Sequence, residues 1–276
     1  MREDLELKTS IVNFYEKILK KSFKSFVPVC YHPGGLETTE AMLKEARVSK
    51  GVHVLDVASG IGDTAIYVAA NLEASVTGVD LSQKMVIYAN ALAKGVELDT
   101  RITFLIADAE SLPFKDNVFD AAISECSLCL FPNMQKTLFE MQRVVKPESK
   151  VVVSDIVLNK TLPPKLNNFL LQASCIAGAK TLSEYISEFE KAGLTKIATT
   201  DLSHKVIRQI CQYLENSKKS PKEIMRIGKS MVESFPERCS MKTLQTISFY
   251  LWLTGKIGYY MISGIKSDNK KPKVLR

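Results

Sequence analysis

Three aspartates occur where short apolar runs end. Asp56 lies in VLDV, Asp80 ends VTGVD and Asp108 ends ITFLIAD. If these runs are parallel strands, their carboxyl ends meet at one edge of a sheet, where ligands of such sheets bind. A carboxylate there accepts hydrogen bonds only. We expect Asp80 to bind the two hydroxyls of a ribose, and Asp108, followed by Ala109, to accept from the exocyclic amine of an adenine.

The loop after Asp56 indicates which nucleotide-like ligand is involved. Its small residues allow a sharp turn and a close approach of backbone to ligand; they are Ala58, Ser59, Gly60 and Gly62. A dinucleotide site typically has G-x-G-x-x-G, but Asp63 stands where the third glycine would lie. A carboxylate at that place repels a pyrophosphate and favours a cation. S-adenosylmethionine, with its sulfonium and amino groups, fits; taken alone, the loop is also compatible with a turn that binds nothing.

Together these segments resemble a known family over about residues 30–200. VLDVASGIGD, VTGVDLS, ADAESLPFKDNVFDAAISECSLCLF and VVVSDIV after QRVVKP are similar to the motifs of class I S-adenosylmethionine-dependent methyltransferases of the type 11, UbiE-like group. The resemblance implies that the protein is a methyltransferase that uses S-adenosyl-L-methionine as its cofactor. Ala58 stands where many members have glycine, so we expect a less flexible loop. The cofactor-binding residues implied are Tyr31, Asp56, Ala58, Ser59, Gly60, Gly62, Asp80, Leu81, Met85, Asp108, Ala109 and Ser124.

The segment after the fourth predicted strand, S-E-C-S-L-C, should face the methyl acceptor. It is not the Asn/Asp-Pro-Pro-aromatic loop of enzymes that methylate planar amines. Two kinds of chemistry stay open, and their candidate catalytic residues are Cys30, His32, Glu125, Cys126 and Cys175. The three cysteines are similar to those with which arsenite methyltransferases bind trivalent arsenic, and thiolates suit a soft acceptor such as a thiol or metalloid. As an alternative, they are buried small side chains, and His32 or Glu125 is the base for another acceptor.

The acceptor itself is not determined. Aromatic residues in the stretch 204–256 are compatible with a roof over an apolar pocket, as in quinone or sterol methyltransferases, or with an ordinary helical core. A net charge of +7 allows an RNA or protein acceptor, but the lysine clusters lack the interleaved aromatics of single-strand binding tracks. A cofactor-binding regulator without activity is a further alternative. The pair Cys126 and Cys129 has no second pair at zinc spacing, and no metal site is predicted.

The elements that would position these residues alternate between strand and helix patterns. This alternation predicts an α/β fold with a Rossmann-like, seven-stranded, mostly parallel sheet covered by helices on both faces. One helix is expected at about 37–47, capped by Thr38 or Thr39, and another at 135–147, stopped by Pro147. We expect a single domain, 1–276. Its parts are an N-terminal helical cap (1–48), a cofactor-binding core (49–203), a helical insertion (204–256), a last strand (257–266) and a basic tail (267–276).

Composition bounds the remaining properties. With 46% hydrophobic and 24% charged residues, the chain has the usage of an ordinary globular protein. Its first residues lack the apolar core of a signal peptide, and its most apolar stretch, 246–265, is interrupted by Lys256. We therefore expect a cytoplasmic protein without a membrane span, whose six cysteines are reduced. The sequence does not indicate the oligomeric state.

Overall fold

The computed structural model describes residues 2–25, 32–162, 166, 176, 178–233 and 241–268. Three residues of the predicted site, Cys30, Tyr31 and Cys175, lie outside these ranges, as do Cys239 and the end of the basic tail.

Strands and helices alternate through most of the described chain, as predicted. The strands are β1 (His53–Val57), β2 (Ser75–Asp80), β3 (Ile102–Ile106), β4 (Phe119–Glu125), β5 (Val145–Leu158), β6 (Leu194–Asp201) and β7 (Ile257–Lys266). The helices are α1 (Arg2–Ser25), α2 (Leu36–Glu45), α3 (Asp63–Leu72), α4 (Gln83–Gly95), α5 (Met134–Val144), α6 (Leu182–Lys191), α7 (Ser203–Asn216), α8 (Pro221–Glu233) and α9 (Met241–Leu253), with a 3₁₀ turn at Leu128–Leu130.

The seven strands form one sheet in the order β3-β2-β1-β4-β5-β7-β6. The first five strands are parallel, whereas β7 runs antiparallel to both β5 and β6. Strand order reverses between β1 and β4, which places the ligand crevice of such a fold beyond the carboxyl ends of these two strands. The predicted fold class is confirmed.

The sheet is buried on both faces, which explains the unbroken apolar runs of its central strands. Val151, Val152 and Val153 of β5 have no exposed surface. One face packs against α2, α3, α4 and the helices between β6 and β7, and the other against α5 and α6. Among the helices between β6 and β7, Gly228 of α8 lies directly against Tyr250 of α9.

Two local predictions were wrong. The predicted helix 135–147 ends at Val144, because Val118 N–H donates to the Val144 carbonyl at 2.7 Å and Val145 pairs with Phe119. Strand pairing thus outweighs the helical apolar spacing, and Pro147 falls within β5 at a break in the register. The start of α2 has Gly35 as its N-cap without a side-chain cap. Thr39 instead points toward Glu125.

None of the helices in the described ranges has the length and apolarity needed to cross a bilayer. The apolar stretch 246–265 forms the end of α9 and most of β7.

Candidate functional site

A crevice of about 150 Å³ lies at the carboxyl edge of the sheet. From the order of the strands, it runs from the end of β3 past β2 and β1 to the end of β4. Nine predicted site residues line it: Ala58, Gly60, Asp80, Leu81, Met85, Asp108, Ala109, Glu125 and Cys126. The sheet therefore brings most of the predicted residues to one place.

The loop after β1 is held by its backbone. Ser59 N–H donates to the Val79 carbonyl at 3.0 Å, and Gly62 N–H donates to the Ser59 carbonyl at 2.9 Å. Ala58, Gly60 and Gly62 have φ values of 58°, 54° and 83°, in the region that glycine adopts at low cost. Ala58 adopts it as well, so the alanine makes the same turn under strain.

Glycine is also required beneath the loop for steric reasons. A Cβ at Gly62 would lie 2.3 Å from the Phe104 ring, and one at Gly78 would lie 2.4 Å from it and 2.8 Å from Ser59 Oγ. The ring of Phe104 thus sets how closely the loop approaches the sheet.

Asp80 at the end of β2 connects the loop to the start of α4. Its Oδ2 accepts from Gly60 N–H at 2.9 Å and its Oδ1 from Ser82 N–H at 2.8 Å. Burial raises the pKa of this carboxyl, and the backbone hydrogen bonds oppose the rise only in part. The carboxylate lines the crevice and retains acceptor capacity for ribose hydroxyls.

Asp108 follows β3 and forms an ion pair that sequence reasoning missed. Lys8 of α1 donates to Asp108 Oδ2 and to Glu110 Oε2, each at 2.8 Å, and Glu110 N–H donates to Asp108 Oδ1 at 3.0 Å. Partial burial acts to raise the pKa of Asp108, but the hydrogen bonds and the Lys8 charge outweigh it and hold that pKa below its usual range. Asp108 is therefore a carboxylate at neutral pH.

Helix α1 lies across the crevice. Lys8, Ile11, Val12 and Tyr15 line it, and Glu16 accepts hydrogen bonds from Ser82 and Lys84 of the α4 start. The positions 8, 11, 12 and 15 follow helical spacing. The sequence therefore predicted that these residues share one face of a helix, but not that this face lies on the crevice.

Asp56 lies behind the loop and is 3% exposed. Burial raises its pKa well above the usual value, and the charges of Glu125, Asp63 and Asp80 raise it further, whereas His32 acts to lower it. Asp56 Oδ2 is buried and accepts no hydrogen bond within the described residues. Asp56 itself is not among the residues that line the crevice. The carboxyl groups that do line it, those of Asp80, Asp108 and Glu125, fit a cationic, hydrogen-bond-donating ligand such as S-adenosylmethionine, with its amino group and sulfonium.

Glu125 ends β4 at the opposite end of the crevice from Asp108. Its carboxylate accepts from Thr39 Oγ1 at 3.1 Å and from Thr64 Oγ1 at 2.5 Å, and His32 Nδ1 lies 3.7 Å from Oε1. Burial raises the pKa of Glu125; the His32 charge and the Thr64 hydrogen bond oppose this without cancelling it. Thr39 was predicted only as a helix cap and Thr64 not at all, because isolated threonines carry no spacing signal for a site.

The remaining predicted residues lie around these groups. Ser124 has no exposed surface, donates to the Val57 carbonyl at 3.0 Å and is 2.6 Å from Ser127 Oγ. Cys126 is 6% exposed and lines the crevice with φ at 50°. The predicted site of three cysteines involves positions outside the described ranges, so it stays a prediction. Within the described ranges, no three His, Cys, Asp or Glu side chains are grouped to hold a metal ion.

The reversed strand order, the left-handed loop after β1 and the acid-ended strands define a class I S-adenosylmethionine-dependent methyltransferase. Comparison with known proteins agrees, since residues 48–219 match the model of a methyltransferase domain. This match covers more than half of the chain, and the protein belongs to that methyltransferase domain family. It uses S-adenosylmethionine as methyl donor.

Similar proteins include enzymes with different acceptors. Methyltransferase GfsG of Streptomyces halstedii is 31% identical over 61% of this chain and 62% of its own length. O-methyltransferase resE of Aspergillus sclerotiorum is 29% identical over 83% of this chain and 90% of its own length. A Haemonchus contortus phosphoethanolamine N-methyltransferase 2 structure with S-adenosylhomocysteine has a TM-score of 0.69 at 22% identity, covering 86% of this chain and 54% of that one.

The chain thus spans less than two thirds of the length of GfsG and of the Haemonchus enzyme. At this identity the structural likeness shows the fold alone.

Proposed function

We propose that the protein transfers the methyl group of S-adenosylmethionine to a hydroxyl oxygen of a small, largely apolar molecule. The observation that carries the proposal is the buried Glu125 carboxylate in the crevice wall, held by Thr39 and Thr64 with His32 beside it. Similarity to the O-methyltransferase resE over 90% of that protein supports an oxygen acceptor.

The bound cofactor supplies a methyl group on a sulfonium, which makes it electrophilic. In this proposal Asp80 and Asp108 bind and orient the nucleoside part, and α1 excludes water from the crevice. Glu125 takes the proton that the acceptor hydroxyl releases. Its raised pKa brings this base closer to neutrality, where a general base works best. His32 stabilises the ionised carboxylate.

Two walls of the crevice indicate the character of the acceptor. They come from α1 and from the segment after β4, and they are mainly apolar: Ile11, Val12, Tyr15, Leu130, Phe131 and Pro132. Apolar walls around a few polar groups are typical of small-molecule sites. This composition supports a small apolar acceptor over a nucleic acid or a protein segment.

The test is a methyl-transfer assay with isotopically labelled cofactor and a panel of apolar alcohols, phenols, amines, thiols and arsenite. We expect turnover of hydroxyl acceptors. Glu125→Gln should lower kcat about 100-fold or more, the usual range for loss of a general base, with cofactor affinity unchanged. Glu97→Gln, at an exposed position, is the matched control. Full activity of Glu125→Gln on a hydroxyl acceptor would contradict the role of Glu125.

A second candidate function is methyl transfer to a thiol or to arsenite, favoured by the Cys126 side chain in the crevice. It requires no base in the crevice, because a thiolate, whose proton has already passed to solvent, or the lone pair of trivalent arsenic attacks the methyl carbon directly. Turnover of arsenite or thiols alone, lost in Cys126→Ser and retained in Glu125→Gln, would replace the first proposal by this one.

A further inference from the structure

We infer that Asp155 of β5 is a positioning residue that holds the segment after β4 in place and thereby shapes the acceptor end of the crevice. This inference rests on the proposed methyl transfer to a small acceptor. It assigns Asp155 a specific effect on the acceptor, as distinct from the cofactor.

Asp155 is an unusual residue for its place in the sheet. It has no exposed surface and lies in the otherwise apolar strand segment VVVSDIV. Among the described residues, no lysine, arginine or histidine forms an ion pair with it. A buried carboxylate without a cationic partner costs stability. The hydrogen bonds that Asp155 accepts indicate its role.

The carboxylate is bound by donors on both sides. Its Oδ2 accepts from Cys129 N–H and its Oδ1 from Ile156 N–H, each at 2.7 Å. The Cys129 thiol and the Tyr185 hydroxyl of α6 act to lower the pKa of this carboxylate. Tyr185 donates its hydroxyl hydrogen to the carbonyl of the next residue, Ile156, at 3.2 Å. The Cys129 contacts connect β5 directly to the 3₁₀ turn Leu128–Leu130.

That 3₁₀ turn belongs to the segment that forms the wall of the crevice. Cys126, Ser127 and Leu130 all line the crevice. Among the described residues, two backbone hydrogen bonds close the turn, from Leu130 N–H to the Ser127 carbonyl at 2.9 Å and from Phe131 N–H to the Leu128 carbonyl at 3.3 Å, and Cys126 N–H ahead of it donates to the Ser154 carbonyl of β5 at 2.7 Å. Two short-range hydrogen bonds fix a turn only weakly. The position of this turn therefore depends on its attachment to β5, including the hydrogen bond from Cys129 N–H to Asp155.

Burial raises the pKa of Asp155 to about 6, although the hydrogen bonds from Cys129, Ile156 and Tyr185 act to lower it. The titratable groups that influence or are influenced by its charge are Cys129 in the turn, Tyr185 on α6 and Tyr259 on β7. At neutral pH Asp155 is a carboxylate, and its two oxygens accept the hydrogen bonds from Cys129 N–H and Ile156 N–H. Below about pH 6 one oxygen carries a proton and the grip on the turn weakens.

The test is Asp155→Asn, which keeps one acceptor oxygen and sets an amide NH₂ against a backbone N–H. We expect the acceptor KM to rise at least tenfold, with the cofactor Kd, measured by calorimetry, within twofold of wild type. The wild-type acceptor KM should rise below about pH 6, whereas that of Asp155→Asn stays flat. Hydrogen exchange of the peptide 126–131 should accelerate in the variant.

Ser154→Ala is the matched control. Ser154 is the neighbouring fully buried residue, and its side chain points to the opposite face of β5 from that of Asp155. Its hydroxyl lies 3.0 Å from the Tyr259 hydroxyl. It should lower stability without changing acceptor KM. Equal losses of cofactor and acceptor affinity in Asp155→Asn, or unchanged exchange of 126–131, would overturn the inference. If Asp155→Asn does not fold, Tyr185→Phe removes the α6 hydroxyl that donates to the Ile156 carbonyl and acts on the Asp155 carboxylate, and it should shift acceptor KM and exchange in the same direction.

The exchange measurement does not need turnover. If wild type binds cofactor yet methylates no acceptor in the panel, the proposed function fails. Exchange of 126–131 still decides whether Asp155 holds the turn.

Discussion

The close approach of Gly62 to Phe104 allows a quantitative test of how the cofactor loop is built. Gly62 has φ at 83°, and a Cβ there would lie 2.3 Å from Phe104 Cζ. In Gly62→Ala the left-handed backbone costs about 1–2 kcal/mol, and overpacking against the buried ring adds about 1–3 kcal/mol. We expect the free energy of unfolding to fall by about 2–5 kcal/mol.

Gly60→Ala separates the two causes. Gly60 lies in the same loop with φ at 54°, but a Cβ there meets no atom within 4 Å. It should therefore cost only the backbone contribution, about 1–2 kcal/mol. Phe104→Leu removes the obstructing ring atoms, so Gly62→Ala should cost about 1–3 kcal/mol less in that background than in wild type.

The assay is urea unfolding of wild type, the three single variants and the double variant, followed by fluorescence and circular dichroism. Two-state behaviour is checked by agreement between the two signals. Equal destabilisation by Gly62→Ala and Gly60→Ala, or no coupling between Gly62→Ala and Phe104→Leu, would refute the idea that Phe104 sets the height of the loop.

Three more predictions concern carboxylates and their partners. Asp80→Ala should weaken cofactor binding about 10- to 100-fold, since hydrogen bonds to charged groups contribute about 1.5–3 kcal/mol; calorimetry with exposed Asp99→Ala as control decides, and unchanged affinity would remove Asp80 from the site. Lys8→Met should speed hydrogen exchange in residues 2–17 several-fold by releasing α1 from its ion pairs, whereas exposed Lys17→Met should not; equal exchange in both would show that the ion pairs do not hold the helix. Asp155 has a folded-state pKa of about 6 against an ordinary 3.8, so the native state keeps a proton that the unfolded chain has released. Its contribution to stability is complete below pH 3.8 and lost as pH rises to about 6, which at 1.36 kcal/mol per pH unit amounts to about 3 kcal/mol. Urea unfolding between pH 4 and 7 should show wild type losing stability relative to Asp155→Asn as pH rises, and parallel curves would contradict the assignment.

The sheet and the crevice were predictable because their signals are local. Apolar runs that end in Asp56, Asp80 and Asp108 mark strand ends, and parallel topology alone brings those ends to one edge. Gly60 and Gly62 after Asp56 mark the turn for the same reason, since glycine adopts its left-handed backbone at low cost.

Other features depend on tertiary contacts that no window of sequence contains. The spacing of Lys8, Ile11 and Tyr15 shows that α1 has a buried face, but not that this face lies on the crevice. The threonines around Glu125 come from α2 and α3, far apart in sequence. The end of α5 was placed too late because Val145 has a strand partner in Phe119, which helical spacing does not reveal.

Two adjacent strands end in the same unusual way. Ala58 after β1 and Cys126 after β4 both have left-handed backbones, with φ at 58° and 50°, although neither is glycine. For anyone engineering heat tolerance, these are the obvious positions to relax, since each costs about 1–2 kcal/mol. Both residues also line the crevice, so glycine at either position would make that part of the crevice wall more flexible. Selection for thermal stability alone would therefore be expected to loosen discrimination between acceptors.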